Sequence, residues 1–428
     1  MKRILIVSYY FAPQNLIGAV RPTKLAKYLA RMGHEVTVVC GTGMGVGEDP
    51  TLARDLQELK HVHTVAEWNP LRKIRSGKAA SAPVSAPAAP APSAQKPSFK
   101  RRLADVVYRY LRWMAECSFG RRAVKKLREI GGSYDVVFSS YAPVSVHETA
   151  RWAKKHGMAK RWIADFRDEV GLPFQWQKGR KERFLRMLRR EADVLCGVSQ
   201  GILDVMEMPA ARVLNNGFDR EDLPETAPVK VDDCLRVVYC GQFNMGRKGV
   251  GDRDVTPMMK ALRALVDEGA IAQERIRLVY AGREGALMRR YAAAYGLESC
   301  VEDCGQVSRE MSIALQKSAD ILLMASWHTP EQKGILTGKL FEYMMMDKPI
   351  VCCMSGELAG SGVKQVLSET GMGFCCEQAA GEKDEQALLA YVRGLVANGC
   401  QPQDKREEAV ERYAYPGLAR QLEGWFEP

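Results

Sequence analysis

A chain of 428 residues is longer than one hydrophobic core usually serves, so two domains of about 200 residues each are expected. With 46% apolar and 26% charged residues the composition is globular, which excludes wholesale disorder, and no apolar run reaches the roughly 18 to 20 residues that span a bilayer. The net charge of +11 predicts attraction to an anion, whether a nucleotide diphosphate, a lipid phosphate, a membrane surface or nucleic acid, and does not choose among them.

Met1-Lys2-Arg3 before Ile4-Leu5-Ile6-Val7 has the charge order of a signal peptide. The run ends at Tyr9-Tyr10 after too few apolar residues and offers no small-residue cleavage site, so a cytoplasmic protein is expected. Arg3 to Ser8 instead reads as a buried strand. Ala19 to Met32 reads as a helix with Leu25, Ala26, Leu29 and Ala30 on one side, Gly33 stops it, and Glu35 to Cys40 is the next strand. That order implies a parallel sheet.

Ser76 to Ser98 is nearly all Ala, Pro and Ser and buries too little to offset its ordering entropy, so a disordered loop is expected. Phe99 to Ile130 is basic and amphipathic, with Arg101, Arg109, Arg121 and Lys125 interleaved with Val106, Val107, Tyr110 and Trp113. It fits a helix on anionic lipid and equally a helix packed on the domain by its apolar face.

The first domain continues through strand-like Tyr134 to Ser140, Trp162 to Phe166 and Val194 to Val198. Turn chemistry at Asn215-Asn216-Gly217-Phe218-Asp219 and a connector at Pro224 to Val231 put the boundary near Phe218. Six more strands are expected at Leu235 to Cys240, Ile276 to Tyr280, Cys300 to Cys304, Ile321 to Met324, Pro349 to Cys353 and Met372 to Cys376. Helices at Met258 to Val266, Ala286 to Tyr295, Ser308 to Lys317 and Lys339 to Met346 alternate with them. The fold class is α/β, with two doubly wound parallel-sheet domains.

The 12 cysteines lie largely in apolar runs such as Ile350-Val351-Cys352-Cys353 and read as buried thiols. Cys300 and Cys304 are followed by no second pair at zinc spacing, so no metal is assigned. The histidines have no partners at ligand spacing.

Gly241-Gln242-Phe243-Asn244-Met245-Gly246-Arg247-Lys248-Gly249 follows a strand directly, where backbone N–H groups and a lysine can converge on a phosphate. Taken alone it also fits a solvated surface loop. It is no Walker loop, and the first βα turn lacks Gly-x-Gly-x-x-Gly, which disfavours hydride transfer. Gly338-Lys339-Leu340-Phe341-Glu342 places a carboxylate in the first turns of a helix, with Thr337 the candidate N-cap. A glutamate there can accept hydrogen bonds from vicinal ribose hydroxyls; an exposed helix glutamate is the plainer alternative.

Ile4 to Ser8, Tyr10 to Pro13, Gly18, Arg21, Leu25, Ala26 and Gly33 to Val39 resemble the start of bacterial retaining glycosyltransferases of family 4. Asn216-Gly217-Phe218-Asp219, Gly241 to Gly249 and Lys339 to Val351 resemble later motifs of that family, in the same order. The resemblance covers nearly the whole chain except the Ala/Pro segment.

It implies a GT-B fold of two Rossmann-like domains facing a cleft: residues 1–218 binding the acceptor, 219–412 binding the nucleotide sugar, and 413–428 returning to the first domain. It implies retention and no essential metal or cofactor, the nucleotide-diphosphate sugar being a co-substrate. Lys248 matches the lysine that neutralises the leaving diphosphate, and Glu342 the glutamate on the ribose. The customary arginine after the glycine is Gln242, so Arg247 is a candidate to share the phosphate.

The first glutamate of the family's Glu-x7-Glu pattern falls at Gly334. Arg167 and Asp168, in Asp165-Phe166-Arg167-Asp168, stand where relatives carry a histidine. A structural Arg–Asp pair capping the strand is the alternative. The expected catalytic set is Lys248, Arg167 and Asp168, and the donor-binding set is Gly18, Gly241, Gln242, Arg247, Lys248, Lys339, Leu340 and Glu342.

The expected function is transfer of a sugar from a nucleotide sugar donor to a glycan or lipid-linked acceptor in cell-surface polysaccharide or glycolipid assembly. The expected location is cytoplasmic, with an anionic membrane surface on the inner face of the plasma membrane as a candidate partner. The alternative is a catalytically weak homologue serving as a binding or scaffold subunit, motivated by Gln242 and Gly334. A nucleic-acid module is disfavoured, since no recognition helix, zinc-finger spacing or aromatic platform accompanies the charge.

Overall fold

A computed structural model describes residues 1–42, 47–66, 68, 99–171, 178–224, 233–243, 253–330, 332–333, 336–402 and 404–427. The Ala/Pro stretch Ser76 to Ser98 and all but the first residue of the connector Pro224 to Val231 lie outside the described residues. The chain divides into two compact units, Met1–Val198 with Met206–Leu214 and Ala419–Pro428, and Ser199–Val205 with Asn215–Leu418.

The first unit holds β1 (Arg3–Ser8), β2 (Glu35–Gly41), β3 (His61–Val65), β4 (Tyr134–Tyr141), β5 (Ala159–Phe166), β6 (Val194–Gly197) and β7 (Arg212–Val213). They form one parallel sheet in the order β3-β2-β1-β4-β5-β6-β7. Ile4, Leu5, Ile6 and Val7 are all fully buried, because crossover helices cover both faces of such a sheet.

The first crossover is the helix Ile17–Arg31, which buries Ala19, Leu25, Ala26 and Leu29 as the spacing predicts. It ends at Gly33, whose φ of +88° suits glycine. Midway along it Arg21 is also buried, forking onto Asp165 at the end of β5 with Nε to Oδ2 at 3.1 Å and Nη2 to Oδ1 at 2.7 Å. Nη2 also donates to the Leu214 carbonyl at 2.7 Å, and Asp165 accepts from Ser140 Oγ at 2.9 Å. The pair is thus satisfied without water, the condition for a buried ion pair to hold.

The helix Phe99–Ile130 divides along its length. Ala115, Phe119, Ala123 and Leu127 recur every fourth residue and are fully buried, which is the packed-helix expectation. Val106, Val107, Tyr108 and Tyr110 instead remain exposed. Sequence reading missed β3 and the helix Lys178–Glu191: β3 is a half-exposed edge strand without an apolar run, and the helix is dominated by charge and buries only Phe184, Leu185 and Leu188.

The second unit holds β8 (Leu235–Cys240), β9 (Ile276–Ala281), β10 (Val301–Asp303), β11 (Ile321–Trp327), β12 (Ile350–Ser355) and β13 (Gly373–Glu377). All pair in parallel, in the order β10-β9-β8-β11-β12-β13. Side chains alternate between two cores: Val238, Cys240, Leu322, Met324 and Cys352 face one, and Val237, Tyr239, Leu323, Val351 and Cys353 the other. All 12 cysteines are free, and nine are buried, as read from their apolar settings.

The segment before β8 is anchored at Phe218, whose N–H donates to the Tyr413 carbonyl at 3.1 Å and whose carbonyl accepts from Tyr415 at 2.9 Å. The last helix is Tyr415–Glu423. Pro416 therefore starts it rather than breaking it, since a helix's first turn has no use for that N–H. Within the first unit, Glu423 meets His34 Nε2 at 2.9 Å and the Trp425 carbonyl accepts from Arg161 at 2.9 Å, so His34 is structural.

Candidate functional site

In the second unit the residues at issue lie at the carboxyl ends of β8, β9 and β11, where open α/β sheets bind ligands. Gly241 follows β8 with φ of +133°, a conformation few side chains tolerate. Its carbonyl accepts from Tyr280 Oη at 2.8 Å and its N–H donates to Ala281 at 2.8 Å. The Gln242 carbonyl accepts from Arg253 Nη1 at 2.5 Å and from Tyr239 Oη at 3.1 Å, while the Gln242 side chain is exposed. Phe243 stacks on Tyr239 at 4.7 Å and gives its N–H to Glu284. The start of the loop is therefore rigidly held. Arg247, Lys248 and the rest of 244–252, as well as Gly334, lie outside the described residues.

Lys339, on the short helix Gly338–Met344, reaches back to this loop. Its Nζ sits 4.4 Å over the Tyr239 ring, and a Cβ on Gly241 would collide with it. Among the described residues it has no carboxylate partner. Burial, and then the positive charge of Arg253, pull its ammonium down to about 8. Arg253 itself lies 5.2 Å over the Trp327 ring at the end of β11, and its Nε is buried without a partner among the described residues. Two cations thus share one strand edge. Sequence reading missed Arg253 because it stands beyond the glycine-bounded loop; a third basic residue after Arg247-Lys248 was the available signal.

Glu342, one helical turn after Lys339, is half-buried. Gln316 Nε2 donates to its Oε1 at 2.7 Å, and Arg309 Nη1 lies 3.8 Å from Oε2. The carboxylate is thus oriented rather than free on the surface. Leu340, expected at the donor, has its side chain fully buried in the core, and its N–H donates to the Thr337 carbonyl at 3.1 Å. Thr337 occupies the N-cap position, but its hydroxyl makes no capping bond and is buried without a partner among the described residues.

In the first unit Gly18 and Arg167 come together. A Cβ on Gly18 would lie 2.6 Å from Arg167 Nη1, so glycine there leaves the guanidinium its place. Arg167 Nε donates to the Tyr141 carbonyl at 2.7 Å and the group lies 5.8 Å over Tyr10. Burial lowers its pKa from the usual arginine value. Asp168 is exposed and forms no ion pair with Arg167. The structural pair raised as the alternative for Arg167 and Asp168 is not formed; the buried ion pair at this strand end joins Arg21 and Asp165 instead.

His147 is buried beside Ser139, whose Oγ lies 2.8 Å from Nδ1, and burial pulls it down to about 3 against the opposing charge of Asp165. It stays neutral and reaches no solvent.

Residues 235–398 match the family described as Glycosyl transferases group 1. No curated protein sequence matched the chain. Among solved structures, the N-terminal domain of Candida albicans trehalose-6-phosphate phosphatase is similar with a TM-score of 0.62 at 13% identity, covering 100% of this chain and 96% of that one. Sucrose-phosphate synthase from Thermosynechococcus elongatus gives 0.54 at 14%, covering 100% and 98%. A UDP-N-acetylglucosamine 2-epimerase of Listeria monocytogenes gives 0.50 at 12%, covering 98% and 94%. At such identities the likeness is one of fold. The chain has the GT-B fold, and the match to the group 1 glycosyltransferase model lies within its second unit.

Proposed function

We propose that the protein is a retaining, metal-independent glycosyltransferase. It moves a sugar from a nucleoside diphosphate sugar to a hydroxyl of a glycan or lipid-linked acceptor in cell-surface polysaccharide or glycolipid assembly. The observation that carries the donor assignment is the pair Lys339 and Arg253 at one strand edge of the group 1 domain, Lys339 having no carboxylate partner among the described residues. Such a pair suits a diphosphate, and it gains most when the leaving group gains charge.

In the step itself the acceptor oxygen bonds to the anomeric carbon as the bond from that carbon to the diphosphate oxygen breaks. The hydroxyl proton passes to a phosphate oxygen of the departing diphosphate. Lys339 and Arg253, with Lys248 and Arg247 of the motif that begins at Gly241, oppose the new charge. Glu342, oriented by Gln316, accepts from the ribose hydroxyls, and Gly241 lets the backbone approach the phosphates.

Arg167, given room by Gly18, supplies a further cation in the first domain, which takes the acceptor, and Asp168 follows it in the chain. The exposed Val106, Val107 and Tyr110 next to Arg109 support a peripheral position on the inner face of the plasma membrane.

A second reading, a catalytically weak binding subunit, rests on Gln242 standing in place of an arginine. Arg253 reaching the Gln242 carbonyl favours the active enzyme. A thermal-shift screen of nucleoside diphosphates and their sugars tests the donor assignment, because a ligand of the folded state raises its stability. A transfer assay with the stabilising donor then separates enzyme from scaffold.

A further inference from the structure

The helix Lys178–Glu191 forms one wall of a cavity of about 950 Å³ in the first unit, within the size range of small-molecule sites. Six cationic side chains line it, against the single carboxylate of Glu148. They are not equivalent. Arg151 and Arg190 are already engaged by Glu191, at 2.6 and 2.9 Å. Lys181, Arg183 and Arg186 have no carboxylate partner among the described residues, and neither does Arg180, which lies 5.6 Å over the Trp113 ring.

The same cavity has apolar walls: Val144, Val170, Phe184 and Met187 line it, and Val170 and Phe184 are buried. It shares Val144, Glu148 and Arg180 with a smaller cavity of about 340 Å³ that runs to Tyr141 and Asp168 at the strand ends. A solvated basic helix face would need no such concavity. Inorganic phosphate would use the cations and leave the apolar wall wet, and a neutral lipid would do the reverse.

We propose that this cavity binds a lipid phosphate, its phosphate held by Arg180, Arg183 and Arg186 and the adjoining hydrocarbon laid on Val144, Val170, Phe184 and Met187. Its place in the reaction, as the acceptor's anchor, rests on the assignment of the acceptor to the first domain. The binding itself does not.

Titration of the full chain with octyl phosphate, inorganic phosphate and 1-octanol by calorimetry tests the assignment. Octyl phosphate is expected to bind saturably and at least tenfold more tightly than either of the others. The double variant Arg183→Ala/Arg186→Ala should weaken it at least fivefold, and Met187→Ser should narrow its advantage over inorganic phosphate. The thermal shift given by nucleoside diphosphates should be unchanged in both variants.

Equal affinity for octyl phosphate and inorganic phosphate would overturn the proposal, as would undiminished binding by the double variant. Sedimentation with phosphatidylglycerol vesicles that octyl phosphate does not compete would place the contact on an open membrane face instead, and overturn it too. Absence of any nucleotide shift, with octyl phosphate binding intact, would count against the donor assignment and leave the lipid-phosphate site standing.

Discussion

Lys339 Nζ lies 4.4 Å above the ring of Tyr239, so an ammonium group from the helix after β11 is stacked on the strand that leads into the Gly241 loop. Burial, and then the Arg253 charge, outweigh the attraction of the ring for the cation and account for a lysine whose proton is easily lost.

A pH dependence of donor binding follows. The folded protein holds Lys339 near 8, and a bound diphosphate favours the protonated form. Affinity should be constant below that value and fall above it, with the dissociation constant rising about tenfold between pH 7 and pH 9. Calorimetry across that range should show the trend in the wild type, and Lys339→Met should flatten it.

Glu342 is expected to bind ground state and transition state alike. Glu342→Gln should raise the Michaelis constant for the donor about tenfold with little change in turnover, whereas Arg253→Ala and Lys248→Ala should lower turnover more than affinity. Steady-state kinetics with the cognate donor separates the two patterns.

Gly18→Ala introduces a methyl group 2.6 Å from Arg167 Nη1, which can yield only by moving the guanidinium. Stability should barely change, because alanine suits a helix and the contact is the tip of a flexible side chain. Turnover should drop about tenfold or more. The Gly18→Ala/Arg167→Ala double variant should be no worse than Arg167→Ala alone; additive losses would show that the two residues act separately.

Arg21→Ala leaves Asp165 buried without its charge partner, so a loss of about 3–5 kcal/mol of stability is expected. Arg167→Ala should stay within about 1 kcal/mol of wild type. Urea midpoints of the two variants would distinguish the structural arginine, Arg21, from Arg167, which is proposed to act in the reaction.

Much of this architecture is legible from local pattern. β1, β4, β8, β11 and β12 are buried on both faces, so each appears as an apolar run, and glycines such as Gly33 and Gly241 mark where the chain must turn with positive φ. Edge strand β3 and the arginine-rich helix Lys178–Glu191 carry no such run, and the three apolar residues that anchor the helix, Phe184, Leu185 and Leu188, are few among its charges.

At the candidate site, Lys339 and Glu342 were visible from their helix position and Gly241 from its strand end. Arg253 and Gln316 were not, because each reaches the site through a side chain from a different element. Leu340, in the same motif, has its side chain fully buried in the core, which its helix position alone did not reveal.

Calorimetric titration tests whether the edge of the second sheet around Gly241, Arg253, Lys339 and Glu342 binds the diphosphate of a nucleotide sugar. Nucleoside diphosphates should be titrated into the wild type and into Lys339→Ala. At least one of them should bind the wild type saturably, and the variant, equally folded, should lose about tenfold in affinity. Equal affinity in the two proteins, or no binding by any nucleoside diphosphate, would contradict the donor assignment.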